Sequence, residues 1–151
     1  MLTGIHHVGI ICDDIEKSKK FYTEILGGKL LYDAGTSSPG HLDQRVNVKD
    51  AIAKKSVVKV GKATLELVEY VQPKIRPQRL SAAGIGTLHL ALEVDDINQE
   101  VARLEKKGVK FNSKPTIIED GPDKGWVWCY FNGPDGCQLE LVENRNVKVA
   151  L

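Results

Sequence analysis

The chain has 151 residues, a formal net charge of +1 and 42% hydrophobic residues. That length suits one domain, 1–151, with a core that needs neither disulfides nor a structural metal. The near-neutral charge gives no reason to expect nucleic acid or an acidic membrane as partner. No segment approaches the ~20 apolar residues of a membrane span, and the opening MLTGIHHVGIICDD lacks the basic start and apolar run of a leader. A cytoplasmic protein is expected. Cys12, Cys129 and Cys137 are odd in number, sit in apolar stretches and form no CxxC pair. They read as reduced thiols in or near the core.

The elements follow in chain order. Residues 4–11 are short, apolar and β-branched, which predicts a strand. Asp13 and Glu16 have capping-box spacing for a helix start. Ile15, Tyr22, Ile25 and Leu26 then share one helical face, and Gly27-Gly28 ends the helix. Strands are expected near 28–33, 56–60 and 63–70, with a turn at Gly61-Lys62. The stretch 71–86, with Pro73, Pro77, Gly84 and Gly86, reads as a linker. A second strand-and-helix set opens at His89. Asp95 or Asp96 starts its helix, Ile97, Val101 and Leu104 form the apolar stripe, and Gly108 ends it. Strands are expected near 109–112, 126–131 and 137–143, with a turn at Asn132-Gly-Pro-Asp-Gly136.

The chain repeats itself. His7-Val-Gly-Ile-Ile-Cys-Asp-Asp-Ile15 matches His89-Leu-Ala-Leu-Glu-Val-Asp-Asp-Ile97 at an offset of 82 residues. Leu65-Glu-Leu-Val-Glu69 is identical to Leu139-Glu-Leu-Val-Glu143 at an offset of 74. Two matches in the same order indicate a duplicated module. The first spans 3–70 and the second 87–145, each a β-α-β-β-β unit of α+β class.

Alternation then sorts the side chains. His7, Gly9 and Ile11 lie on one face of the first strand, Val8 and Ile10 on the other. Glu66 and Val68 oppose Leu65 and Leu67 in the same way. The helix packs on the aliphatic face, so His7 and Glu66 project from the opposite one, and His89 and Glu140 follow by repetition. His6 aligns with Leu88 and falls outside the set, on the helix-facing side. Two imidazoles and two carboxylates suit Ni, Zn, Co, Mn or Fe(II). Four protein ligands leave octahedral positions open, as in a catalytic rather than a structural ion site.

These residues resemble the vicinal oxygen chelate superfamily of glyoxalase, bleomycin resistance and extradiol dioxygenase proteins. The resembling segments are His7-Val-Gly-Ile, the following Asp-Asp-Ile-Glu-Lys-Ser-Lys-Lys-Phe-Tyr-Thr-Glu-Ile-Leu-Gly27, Leu65-Glu-Leu, His89 to Ile97, and Gly133-Pro-Asp-Gly-Cys-Gln-Leu-Glu-Leu141. The resemblance implies paired modules in a cupped, barrel-like mixed sheet with helices outside. It implies one divalent metal ion held by His7, Glu66, His89 and Glu140, and a homodimer or a single-chain pairing of modules with the same four residues. The pattern is closest to glyoxalase I and methylmalonyl-CoA epimerase, metal-dependent lyases and isomerases that stabilise an enediolate or enolate of a small carbonyl or thioester substrate. Glu140 or Glu66 is then the candidate catalytic base. A short extradiol-type dioxygenase and a non-catalytic ligand-binding resistance protein are the alternatives.

Other residues have a plainer reading beside the functional one. Lys74, Arg76 and Arg79 either hold an anionic substrate tail or belong to a solvated linker. Gly121–Trp126 is a candidate loop over the mouth of the cup, with Trp126 or Trp128 lining it or simply packing. His41 and Arg45 fall in the stretch Ser37–Asp50, which either covers the site or is a plain surface loop, and Tyr130 reads as core rather than catalytic.

Overall fold

The structure, a computed structural model, describes residues 1–40, 42–75 and 81–145. His41, Arg76 and Arg79 therefore lie outside the described residues. The chain divides into two compact units, Met1–Gln78 and Arg79–Leu151.

In the first unit the order is β1 (Val8–Ile11), α1 (Ile15–Lys20), β2 (Lys29–Thr36), α2 (Asp43–Val46), β3 (Ile52–Val60) and β4 (Ala63–Gln72). The second has β5 (His89–Glu93), α3 (Ile97–Lys106), β6 (Thr116–Ile117), β7 (Val127–Asn132) and β8 (Gln138–Glu143). The sheets run β1-β4-β3-β2 and β5-β8-β7-β6. In each, the first strand lies parallel to the last and the other pairs are antiparallel. Parallel pairing requires a crossover, and the helix supplies it. The expected β-α-β-β-β order is thus present twice, in two open four-stranded sheets. Among the described residues no helix is long and apolar enough to cross a membrane.

Each core lies between one sheet face and its helix. In the first unit Ile10, Leu65, Leu67 and Val58 are buried from the sheet side, and Ile15, Ser18 and Tyr22 from the helix. In the second, Ile97, Val101 and Leu104 of α3 bury against the side that carries Cys129, Phe131, Leu139 and Leu141. Full burial of each large aliphatic contributes roughly 1.5–3 kcal/mol.

Several boundaries differ from the sequence expectation. The strand expected over 4–11 begins only at Val8, so His7 sits just ahead of it. The N-cap of α1 is Asp14 rather than Asp13: its Oδ1 accepts from the N–H groups of Glu16 and Lys17, each at 3.0 Å. Asp13 instead pairs with Lys74. Helix α1 also widens at its end into a π-helical turn, Phe21–Ile25, which rotates Tyr22 inward. The strand expected at 109–112 reduces to an isolated bridge, Phe111 to Phe131, and β6 forms further on. Gly61-Lys62 and the Gly133–Gly136 stretch do form the expected turns.

Candidate metal centre

The first His/Glu pair is positioned by the β1–β4 ladder. Gly9 registers with Glu66 and Ile11 with Val68, so the side chains at 7, 9 and 11 share a face with Glu66. His7 Nε2 lies 3.9 Å from Glu66 Oε2. On the other side of its ring, His7 Nδ1 is 2.8 Å from Nδ1 of His6. The His7 tautomer that carries its proton on Nδ1 donates in this contact and leaves Nε2 with the lone pair that a metal needs. His6 is exposed ahead of β1 rather than turned toward the helix, and it supports the ring of its neighbour. Glu66 also pairs with Lys55, from β3, whose Nζ lies 3.1 Å from the same Oε2.

The second pair repeats this placement. Ala91 registers with Glu140 across β5–β8, and His89 Nε2 is 3.2 Å from Glu140 Oε2. Glu140 is the more sheltered carboxylate, with its side chain 12% exposed against 23% for Glu66. Its neighbour on β7 is Tyr130, directly opposite in register. Tyr130 meets the His89 ring edge-on at 5.4 Å and Trp128 at 5.2 Å. Burial pushes the Tyr130 phenol up, and the charge of Glu140 and a hydrogen bond to it push the same way. The phenol therefore donates to Glu140. Tyr130, expected in the core, is half-buried on the His89 face. Trp128 shares that face because both alternate with buried Val127, Cys129 and Phe131.

The donor chemistry fits a divalent ion. Nitrogen and carboxylate ligands bind such ions at 2.0–2.2 Å, so neighbouring ligands on one ion sit about 3–3.5 Å apart. The 3.2 Å spacing of His89 and Glu140 falls in that range, and the 3.9 Å spacing of His7 and Glu66 lies just beyond it. Among the described residues no three His, Cys, Asp or Glu side chains gather as a ready-made cluster. Each unit offers one two-donor pair.

Lys74 is engaged at 2.8 Å with the Asp13 carbonyl, 3.1 Å with the Asp13 carboxylate and 3.7 Å with Glu69, which ties the end of β4 to the start of α1. Gly121–Trp126 forms the β6–β7 connection, closed by the Ile118 N–H to the Trp126 carbonyl and the Gly125 N–H to the Ile118 carbonyl, both 2.8 Å. Arg45 is exposed on α2. Cys12 and Cys129 are buried, and none of the three cysteines forms a disulfide among the described residues. Burial, and then the charge of Glu140, pushes the Cys129 thiol up to about 11. Glu69 and Glu143, the second carboxylates of the repeated pentapeptide, face the helices. They accept the N–H of Ile15 at 3.1 Å and of Ile97 at 3.0 Å.

Two matched sheets, each presenting one His and one Glu on the face away from its helix, define a glyoxalase-type fold. The family model described as Glyoxalase/Bleomycin resistance protein/Dioxygenase superfamily matches residues 4–141, and the chain belongs to that superfamily. It is 34% identical over 143 residues to a 2-epi-5-epi-valiolone epimerase from Actinomyces sp, covering 92% of this chain and 78% of that protein. It is 30% identical over 158 residues to a lactoylglutathione lyase from Schizosaccharomyces pombe, covering 95% of this chain. The chain spans about half, 48%, of that enzyme's length. In three dimensions it matches a glyoxalase family protein from Bacillus cereus with a TM-score of 0.77 at 19% identity, over 95% of each chain, a likeness of fold.

Proposed function

We propose that the protein is a metal-dependent lyase or isomerase, with His7, Glu66, His89 and Glu140 as the donors for one divalent ion. The observation that carries this reading is the recurrence of one His/Glu pair at matching register positions in both units. Any one such pair is ordinary on a half-buried strand. Its duplication is what a shared ligand set requires. The epimerase and lyase among the relatives support proton transfer beside a carbonyl as the reaction class.

A bound divalent ion supplies Lewis acidity at a substrate oxygen. Within that setting Glu140 is the proton-moving group. It is sheltered from water, and its partners are a phenol and an imidazole. Lys55, by contrast, already occupies an oxygen of Glu66. Tyr130 holds the Glu140 carboxylate in place, so the carboxylate approaches a C–H in a fixed orientation. A positioned base of this kind contributes typically about 10²–10⁴-fold. The substrate is a small carbonyl or thioester compound that passes through an enediolate or enolate. A homodimer belongs to the same reading, and the mass in solution checks it.

Elemental analysis of the purified protein, followed by solvent-deuterium incorporation into methylglyoxal–thiol adducts and methylmalonyl-CoA, tests the proposal. Expected are about one ion per chain and exchange that Glu140→Gln abolishes. Uptake of less than about a tenth of an ion per chain from Ni, Co, Zn or Mn solutions overturns the metal reading. Full exchange by Glu140→Gln with metal bound removes Glu140 as the base.

A further inference from the structure

The two His/Glu pairs are alike, but their surroundings are not. Val68 and Val142 each stand two residues beyond the ligand glutamate of their strand. Opposite Val68 in register is Lys55, and opposite Val142 is Trp128. The repeat therefore keeps the imidazole and the carboxylate while placing an ammonium group beside one pair and an indole beside the other.

Lys55 shares the face of Glu66, and its side chain is 40% exposed. The adjacent Lys54 points the other way and meets Glu69 at 3.3 Å. An ion pair as open to water as Lys55–Glu66 contributes little to folding, so stability alone does not account for its position. Glu66 Oε2 lies between two groups, 3.1 Å from Lys55 Nζ and 3.9 Å from His7 Nε2. A cation held by His7 and Glu66 would take up the negative charge of that carboxylate and would leave the Lys55 ammonium as a second positive charge a few ångströms away. Like charges so close repel, and an anionic oxygen lying against both relieves the repulsion.

We propose that Lys55 is the anion-binding residue of this centre, so that the protein prefers a substrate carrying a carboxylate or similar anionic oxygen next to its metal-binding oxygen. This rests on the metal reading above. It also assigns to a strand residue the anion-holding role that the linker cations suggested in sequence. Lys74 is committed to Asp13 and Glu69.

The test uses the full chain loaded with Co(II), whose visible absorption reports ligand binding. Glycolate is the anionic probe, and hydroxyacetone is its neutral counterpart of similar size. The wild-type chain is expected to bind glycolate the more tightly. Lys55→Met should keep the Co(II) stoichiometry and weaken glycolate about tenfold or more, with little effect on hydroxyacetone. Lys55→Arg, which keeps the charge, should stay within about threefold. Lys55→Gln repeats the test with a polar side chain. Equal glycolate affinity in wild type and in both neutral variants overturns the proposal. Loss of Co(II) from Lys55→Met also overturns it, because Lys55 would then build the centre rather than serve its ligand. Absence of Co(II) uptake by the wild type overturns the metal reading itself, and this assignment with it.

Discussion

Glu143 accepts the backbone N–H of Ile97 at 3.0 Å, and Glu69 makes the same contact with Ile15 at 3.1 Å. The first N–H groups of a helix have no partner within it, and a carboxylate there also meets the positive end of the helix dipole. Asp14 and Asp96 satisfy the next donors. The terminal glutamate of each pentapeptide thus fastens the last strand of its sheet to the start of the helix. Glu143→Ala should cost about 1–2 kcal/mol in urea unfolding. Glu69→Ala should cost at least as much, since Glu69 is buried and also meets Lys54 and Lys74. Neither change should alter metal content.

Acid should weaken the fold through two carboxylates. Arg145, then the Ile97 N–H, holds Glu143 below its ordinary range against the opposing effect of burial. The Ser56 hydroxyl, with the Lys19 ammonium behind it, holds Asp33 below its own. A carboxyl with a depressed folded pKa binds its proton later than the unfolded chain does. Its contribution is complete above the ordinary carboxylate value of roughly 4 and is lost as pH falls through the folded value. The urea midpoint should be flat from neutrality down to about pH 5 and fall below pH 4. In Glu143→Gln and Asp33→Asn that fall should be shallower. An unchanged slope in both variants would remove these groups as its source.

The two adjacent histidines should separate cleanly. His7→Ala removes a proposed ligand and should abolish stoichiometric metal uptake. His6→Ala removes only the 2.8 Å contact that orients the His7 ring. Loss of such a supporting contact costs about 10–100-fold in metal affinity. Competition with a chelator would measure both. Equal losses would mean that His6 is itself a ligand.

Gly28 is held by space. A Cβ there would stand 2.6 Å from the Tyr22 carbonyl oxygen and 2.8 Å from that of Lys59. Both are backbone atoms and cannot swing aside. Gly28→Ala should destabilise by about 1–3 kcal/mol, visible as a lower urea midpoint with unchanged far-UV dichroism at neutral pH.

The thiols should react in order of exposure. Cys12 and Cys129 are buried, and the Cys129 thiol is pushed up to about 11. Nucleophilic thiolate is therefore scarce there at neutral pH. A thiol-specific chromogenic reagent should label Cys137 first and reach the other two only on unfolding. Early labelling of Cys129, located by mass spectrometry, would contradict its burial.

The duplication was legible because it lies in two short segments whose chemistry is unusual together, a His before an apolar run and a Glu inside one. Their shared face followed from alternation alone. The rest of the site was not legible, for physical reasons. From Val127 to Phe131 the residues on both faces of β7 are apolar or aromatic, so Trp128 and Tyr130 look no different from Val127 and Phe131. Only the pairing of Tyr130 with Glu140 separates them. Lys55 stands beside Lys54 in a strand with no clean alternation, and its face is decided by register with β4. The cap falls at Asp14 rather than Asp13 because two aspartates adjoin. Asp13 has the capping-box spacing, but Asp14 has the extended backbone that an N-cap needs, with φ of −141°.

The pentapeptide ends on a consequence for how such a chain changes over time. Its two carboxylates are three residues apart, so they lie on opposite sides of the strand, one toward the proposed ion and one toward the helix. A single inserted or deleted residue between them turns one of the two to the wrong side. The strand thus works as a ruler that tolerates no error within its span. Where the two halves differ in length, the difference falls in the connecting segments.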